Sequence, residues 1–135
     1  MGVTTGEMMG WARAAVGTGM ALAPGAFLRL SGREAPTPVS VLLMRTIGIR
    51  DLVLGAGTIA AARRGNDEEL THWTSAGLAS DSLDVLASVA ARQSIGRSES
   101  TAAAAAALVF AVGDLVVLRR RPEVLDPSPA VPGSA

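Results

Sequence analysis

The side chains of this protein that could do chemistry stand among apolar neighbours. Arg45, Arg50 and Asp51 lie in MRTIGIRDLVLG (44–55), and Asp81 and Asp84 in GLASDSLDVLASVAA (77–91). Arg13 lies in WARAAVGTGM (11–20) and Asp114 in LVFAVGDLVVL (108–118). Carboxylates gathered in apolar surroundings can neutralise arginines, retain a proton through a raised pKa, or hold a cation.

Helical spacing groups these residues. Thr74, Gly77, Asp81, Asp84 and Ser88 recur every three or four positions and share a face. The same holds for Gly10, Arg13, Gly17 and Met20, and for Ala103, Ala107, Phe110 and Asp114. Gly48, Asp51, Gly55 and Thr58 form another such face with Arg45 at its edge, whereas Arg50 points the other way beside Gly57. Gly17, Gly48, Gly55 and Gly77 are expected to let helix backbones approach closely, with the polar groups bonding across the gap. Depth along antiparallel helices then pairs Arg13 with Asp114, Arg45 with Asp84 and Arg50 with Asp81. Asp51 remains as a surplus acid, able to hold a proton or a cation.

Four apolar segments must position this network: about 10–28, 39–62, 73–91 and 101–118. Each is near the ~20 residues that carry a helix across ~30 Å of hydrocarbon. The connectors RLSGREAPTP, RRGNDEELTH and RQSIGRSES carry proline, glycine or charge. The fourth segment has only Thr101 and Asp114 as polar side chains and therefore no water-facing stripe. The expected fold is all-α: an up-down-up-down four-helix transmembrane bundle over 1–121, with 122–135, rich in Pro and Ser, as a disordered tail. Arg63, Arg64, Arg119, Arg120 and Arg121 outnumber Arg29, Arg33, Arg92 and Arg97 on the other side. That bias orients both termini to the cytoplasm of a multi-pass plasma-membrane protein. Trp11 and Trp73, near segment starts, read as interface anchors. ALA at 21–23 imitates a signal-peptide cleavage site, but no basic residue precedes the run and Pro24 would follow the cut.

Insertion energetics explain why the charges need partners. Leu, Ile and Val in the second segment return roughly 3–6 kcal/mol, against roughly 8–10 for its three charges. Such groups within a span default to function, although a purely structural network is the simpler reading.

Composition excludes several classes. Twelve basic residues, all arginine, balance twelve acidic ones, so no net field attracts nucleic acid. Cysteine is absent, which removes disulfides, thiolate metal sites and thiol catalysis. His72 alone cannot build a metal site. Hydrophobic residues reach 49% and charged ones only 18%, below the roughly 25% of ordinary globular chains. GAGT at 55–58 sits inside a helix and does not read as a phosphate loop. No cofactor is expected.

The pattern R-x-x-G-x-R-D-L-x-L-G at Arg45–Gly55, followed by GLASDSLDVLASVAA, resembles a family of small four-helix membrane proteins of unknown function common in actinobacteria. The likeness covers about 10–118 and implies fold and location without an activity. Asp81 and Asp84 are also similar to the opening acid pair of the CDP-alcohol phosphotransferase family, which binds divalent metal. Val85 stands where that family has glycine, Ala87 and Ser88 near its Ala-Arg, and Asp114 alone remains of its second acid pair.

Three functions follow as expectations. The first is a non-catalytic accessory or assembly subunit in the lipid bilayer, self-associating through its glycine faces or held in a larger complex. The second is a small transporter or proton-conducting bundle using Asp51, Asp81 and Asp84. The third is a metal-dependent lipid-headgroup enzyme.

Overall fold

The computed structural model describes residues 3–30, 35–95 and 97–120. The tail expected to be disordered, 122–135, lies outside them, as does Arg121. All regular structure among the described residues is helical: α1 (Thr5–Leu22), α2 (Pro24–Leu30), α3 (Pro38–Arg64), α4 (Asp67–Ala90), α5 (Arg92–Ile95) and α6 (Arg97–Arg119).

Local chemistry sets these boundaries. The Thr4 side chain caps α1 by accepting from the Glu7 amide at 3.1 Å. A single helix expected over 10–28 is two, because Pro24 disfavours helical backbone at the residue before it, and Ala23 leaves the helix at φ −127°. Thr37 and Ser40 form a capping box on α3, with Pro38 in its first turn. That helix stops at Gly65, whose φ of 63° is left-handed and suits glycine. Asn66 caps α4, and Asp67, Glu68 and Glu69 place negative charge on the positive end of its dipole.

The four long helices run up, down, up and down. Antiparallel pairing of α1 with α3 is visible in the glycines. A Cβ on Gly10 would meet the Gly55 carbonyl oxygen at 3.0 Å, and one on Gly17 the Leu52 amide nitrogen at 2.5 Å. Gly57 of α3 lies under the Trp73 ring of α4, and Gly77 of α4 faces Asp114 of α6. The buried apolar side chains are small: Ala14, Ala61, Ala107 and Ala111, joined by Leu28 and Val117.

The transmembrane bundle, and with it the multi-pass plasma-membrane location with cytoplasmic termini, is corrected by the helices themselves. Among the described residues, none is long and apolar enough to cross a membrane. Arg45, Arg50 and Asp51 interrupt α3, Asp81 and Asp84 interrupt α4, and α1 combines Glu7 and Arg13 with several glycines and threonines. Asp114 interrupts the apolar stretch of α6. Segment length alone overstated the case. The cost of the interrupting charges was expected to be offset by pairing inside the bundle.

Candidate functional site

The polar network is built around Arg13. Glycines at 10 and 17 bring α1 against α3, so the side chain of Arg13, between them, projects into the centre of the bundle. Its side chain is 3% exposed, and its guanidinium meets carboxylates from all three other long helices. Asp81 of α4 receives both terminal nitrogens: Nη1 donates to Oδ1 at 3.3 Å, and Nη2 donates to Oδ2. Asp114 of α6 accepts from Nη2 at 2.8 Å, and Asp51 of α3 from Nη1 at 3.5 Å. Phe110 places its ring 4.8 Å from the guanidinium carbon, adding a cation–π contact from α6.

A second arginine closes the cluster on one side. Arg50 donates to Asp51 Oδ1 through Nε at 3.2 Å and Nη2 at 3.0 Å, and its Nη2 lies 2.8 Å from Asp84 Oδ2. Arg13, Asp51, Asp81 and Asp114 are buried, whereas Arg50 and Asp84 are about a third exposed. Thr58 and Thr74 are also buried, their hydroxyls turned back onto the carbonyls of Leu54 and Leu70 at 2.9 and 2.7 Å.

The ionisation of these groups follows from burial first. Burial pushes the Asp114 carboxyl up to about 6, against the attraction of Arg13 and with the help of the neighbouring Asp81 charge. Asp81 is raised for the same reason, opposed by its hydrogen bond from Arg13. Burial alone would lower Arg13, but the Asp81 hydrogen bond and the charges of Asp114, Asp81 and Asp51 outweigh it, and its pKa rises. Burial also acts against charge on Arg50, and the bonds to Asp84 and Asp51 reverse that effect.

Of the expected pairs, Arg13–Asp114 is present. The other two are corrected. Asp81 belongs to Arg13, and Arg50 turns back to its neighbour Asp51 and across to Asp84. Arg45 is exposed and donates through Nε to the Ala21 carbonyl at 3.1 Å, capping the C-terminal end of α1 instead of Asp84. Asp51, read as the surplus acid, is the one that touches both arginines.

Gly17, Gly48, Gly55 and Gly77 are all buried within the chain. Those glycine faces are taken up by packing within the chain. Trp73 covers Gly57, and Trp11 is half exposed, donating to Glu7 at 3.4 Å beneath the Arg63 guanidinium at 5.4 Å. The anchor role expected of both tryptophans presupposed a membrane span. An end latch was missed: Arg63 Nε donates to Glu7 Oε1 at 2.8 Å, joining the start of α1 to the end of α3. Antiparallel alignment of Gly10 with Gly55 sets Glu7 level with Thr58, and the long Arg63 side chain reaches back over the remaining turn. The Arg63 bond holds the Glu7 carboxyl below its ordinary range, against the effect of burial.

Chemically, two arginines face four carboxylates, and every carboxylate is paired with at least one of them. A guanidinium fills the position a metal would need, and no group of three or more His, Cys, Asp or Glu among the described residues is placed to hold one. A cavity of about 360 Å³ at the end of the bundle is lined by Thr4, Asn66, Asp67, Leu70, Val117 and Arg120, among others, and includes no residue of the network. No family model, no curated protein and no solved structure matches the chain.

Proposed function

We propose that this chain is a non-catalytic, self-assembling subunit: its Arg13 network sets the order of its four long helices, and its outer faces are covered by further copies. The observation that carries this reading is an inverted distribution of side chains. Arginine, aspartate, threonine, glycine and alanine fill the interior, whereas large aliphatic residues face outward. Leu42 is 63% exposed, Leu86 65% and Val109 70%, and they belong to three different helices. Apolar patches beyond a few hundred Å² on a folded chain mark surfaces meant to be covered.

The interior argues against catalysis. Its carboxylates are engaged with arginines, and the cavity at the bundle end holds none of them. A conducting bundle needs membrane-crossing helices, and among the described residues none is long and apolar enough to be one. The acid pair Asp81 and Asp84, which invited comparison with a metal-dependent headgroup enzyme, is divided between Arg13 and Arg50.

The test is the mass of the purified full chain by light scattering or equilibrium sedimentation, together with flotation on phosphatidylcholine–phosphatidylglycerol vesicles. A defined multiple of 13.7 kDa that does not float supports the reading. A stable single chain, or one that floats with the vesicles as a single chain, overturns it.

A further inference from the structure

We propose that the Arg13 network is a proton-operated clasp: a proton on Asp114 keeps the α1–α3 pair shut against the α4–α6 pair, and its loss opens the bundle from the end where α2 and α5 lie. The fold supplies the hinge. α1 packs along α3 through facing glycines, and α4 packs along α6. The two pairs are tied near the α3–α4 turn at Gly65. There Gly6 of α1 packs on Leu70 and Val117, and the Trp73 ring of α4 lies on Gly57 of α3. The network is the next tie away from the turn, and past it α4 is no longer covered. Thr74, Gly77 and Asp81 are buried, whereas no residue from Ser82 to Ala90 is.

The charges in this tie do not balance. Arg13 of α1 and Arg50 of α3 face Asp51 of α3, Asp81 and Asp84 of α4 and Asp114 of α6. With every group ionised, two negative charges are left over. Among the buried acids Asp114 is held most weakly: it meets one nitrogen, Nη2 of Arg13, and that nitrogen is also bonded to Asp81. Asp81 takes both terminal nitrogens of Arg13, and Asp51 has Arg50 as well. The remaining neighbour of α6, α5, brings only Arg92, which lies before the start of α6 and roughly 25 Å along it from Asp114.

A proton on Asp114 removes one surplus charge without moving a side chain. The closed form favours it, because burial lifts this carboxyl from an ordinary 3.8 to about 6. Once the pairs part, water reaches Asp114 and its affinity for the proton falls back. The closed form therefore binds the proton more tightly, so acid closes the clasp, and that stabilisation is lost as pH climbs through about 6. Across the interval the ratio of open to closed chains should rise roughly a hundredfold. Arg50 and Asp84, a third exposed on the side that opens, are where water first meets the network.

The chain has no cysteine, so spin labels can be set on introduced pairs of thiols. Thr46→Cys with Ala87→Cys spans the two helix pairs beyond the network, and Ala56→Cys with Ser75→Cys spans them on the turn side; all four positions are exposed. Labelled protein, diluted into unlabelled chain, is measured by pulsed electron paramagnetic resonance between about pH 4.5 and about pH 8. The 46–87 distance should lengthen as pH rises, while the 56–75 distance and the helical content by circular dichroism hold still. In Asp114→Asn, neutral at every pH, the 46–87 distance should stay short. A 46–87 distance indifferent to pH, lengthening of both distances together, or opening that persists in Asp114→Asn overturns the clasp. Should that variant not fold, the wild-type infrared band of a protonated buried carboxyl decides. It must be present in acid and fade as the 46–87 distance grows, and its absence in acid sinks the clasp.

Discussion

Two joints hold this molecule together by different physics. Between α1 and α3, backbone meets backbone: Gly10 and Gly17 face Gly55 and Gly48, and a Cβ at Gly48 would lie 2.6 Å from the Ala21 amide nitrogen. Across the bundle, α1 meets α4 and α6 through the charges on Arg13. The first joint gains dispersion over many close atoms and is indifferent to pH. The second exchanges hydration for a few strong directed bonds, a trade whose net worth is small while its rupture is costly. Shape keeps two helices close, and charge chooses which others join them.

The largest effect comes from breaking the charge joint on one side only. Arg13→Met retains a similar apolar stem and leaves Asp51, Asp81 and Asp114 buried without their shared cation. We expect a loss of about 3–5 kcal/mol in urea unfolding followed by circular dichroism. Adding Asp81→Asn and Asp114→Asn to that variant should restore part of it, since neutral amides need no counter-charge. A loss below about 1 kcal/mol for Arg13→Met would place the joint's strength elsewhere.

Next in size is the response to pH. Asp114 is 3% exposed, and its pKa rises from an ordinary 3.8 to about 6 in the folded chain. A carboxyl raised on folding binds its proton more tightly in the native state. Its contribution is therefore complete below 3.8 and lost as pH climbs through about 6. The shift corresponds to about 3 kcal/mol. Asp81 acts in the same direction, and Glu7, lowered by Arg63, acts in the opposite one at lower pH. Stability should fall between pH 4 and 7, and Asp114→Asn should flatten most of that slope. A wild-type stability that climbs across the interval would show that Asp114 titrates as an ordinary acid.

What could be read in advance divides along the same line. The shared faces were legible because a 3.6-residue period needs only spacing, so Gly10, Arg13 and Gly17 fell on one stripe and Gly77 and Asp81 on another. Arg13 with Asp114 was legible from depth alone. The partners of Arg50 and Arg45 were not, because depth ignores side-chain reach: a long guanidinium can fold back one residue to Asp51, or lean to the end of a neighbouring helix at Ala21. The Glu7–Arg63 latch lay outside the apolar segments on which attention rested. The membrane span was misjudged because pairing inside the bundle was expected to offset the charges that divide each segment. The outward Leu and Val of α6 look alike for lipid and for a neighbouring helix, and composition does not distinguish them.

The glycine joint should respond to shape and not to acid. Gly17→Ala sets a methyl against the Leu52 amide at 2.5 Å and the Gly48 carbonyl at 2.6 Å, both backbone atoms that cannot turn aside. Overpacking of this kind costs about 1–3 kcal/mol, reduced by the few tenths to 1 kcal/mol that alanine gains over glycine inside a helix. The loss should be equal at pH 4 and pH 7. A loss that grew with pH would mean that α1 had shifted and carried Arg13 off its carboxylates, and the two joints would then be one.

The smallest effect completes the contrast. Arg64 and Glu69 form an ion pair at 2.9 Å, comparable in length to Arg13 with Asp114, but their side chains are 65% and 44% exposed. Water screens the attraction, and ordering two long side chains offsets what remains. Arg64→Gln should change stability by less than about 0.5 kcal/mol, and the change should vanish in 0.5 M salt, where the Debye length falls below ~5 Å. The Arg13 network, out of reach of solvent ions, should keep its full effect at that ionic strength. An Arg64→Gln loss that persisted in salt would mean that this pair braces the α3–α4 turn by geometry, as the Asn66 cap does, and that exposure alone does not separate strong ion pairs from weak ones in this fold.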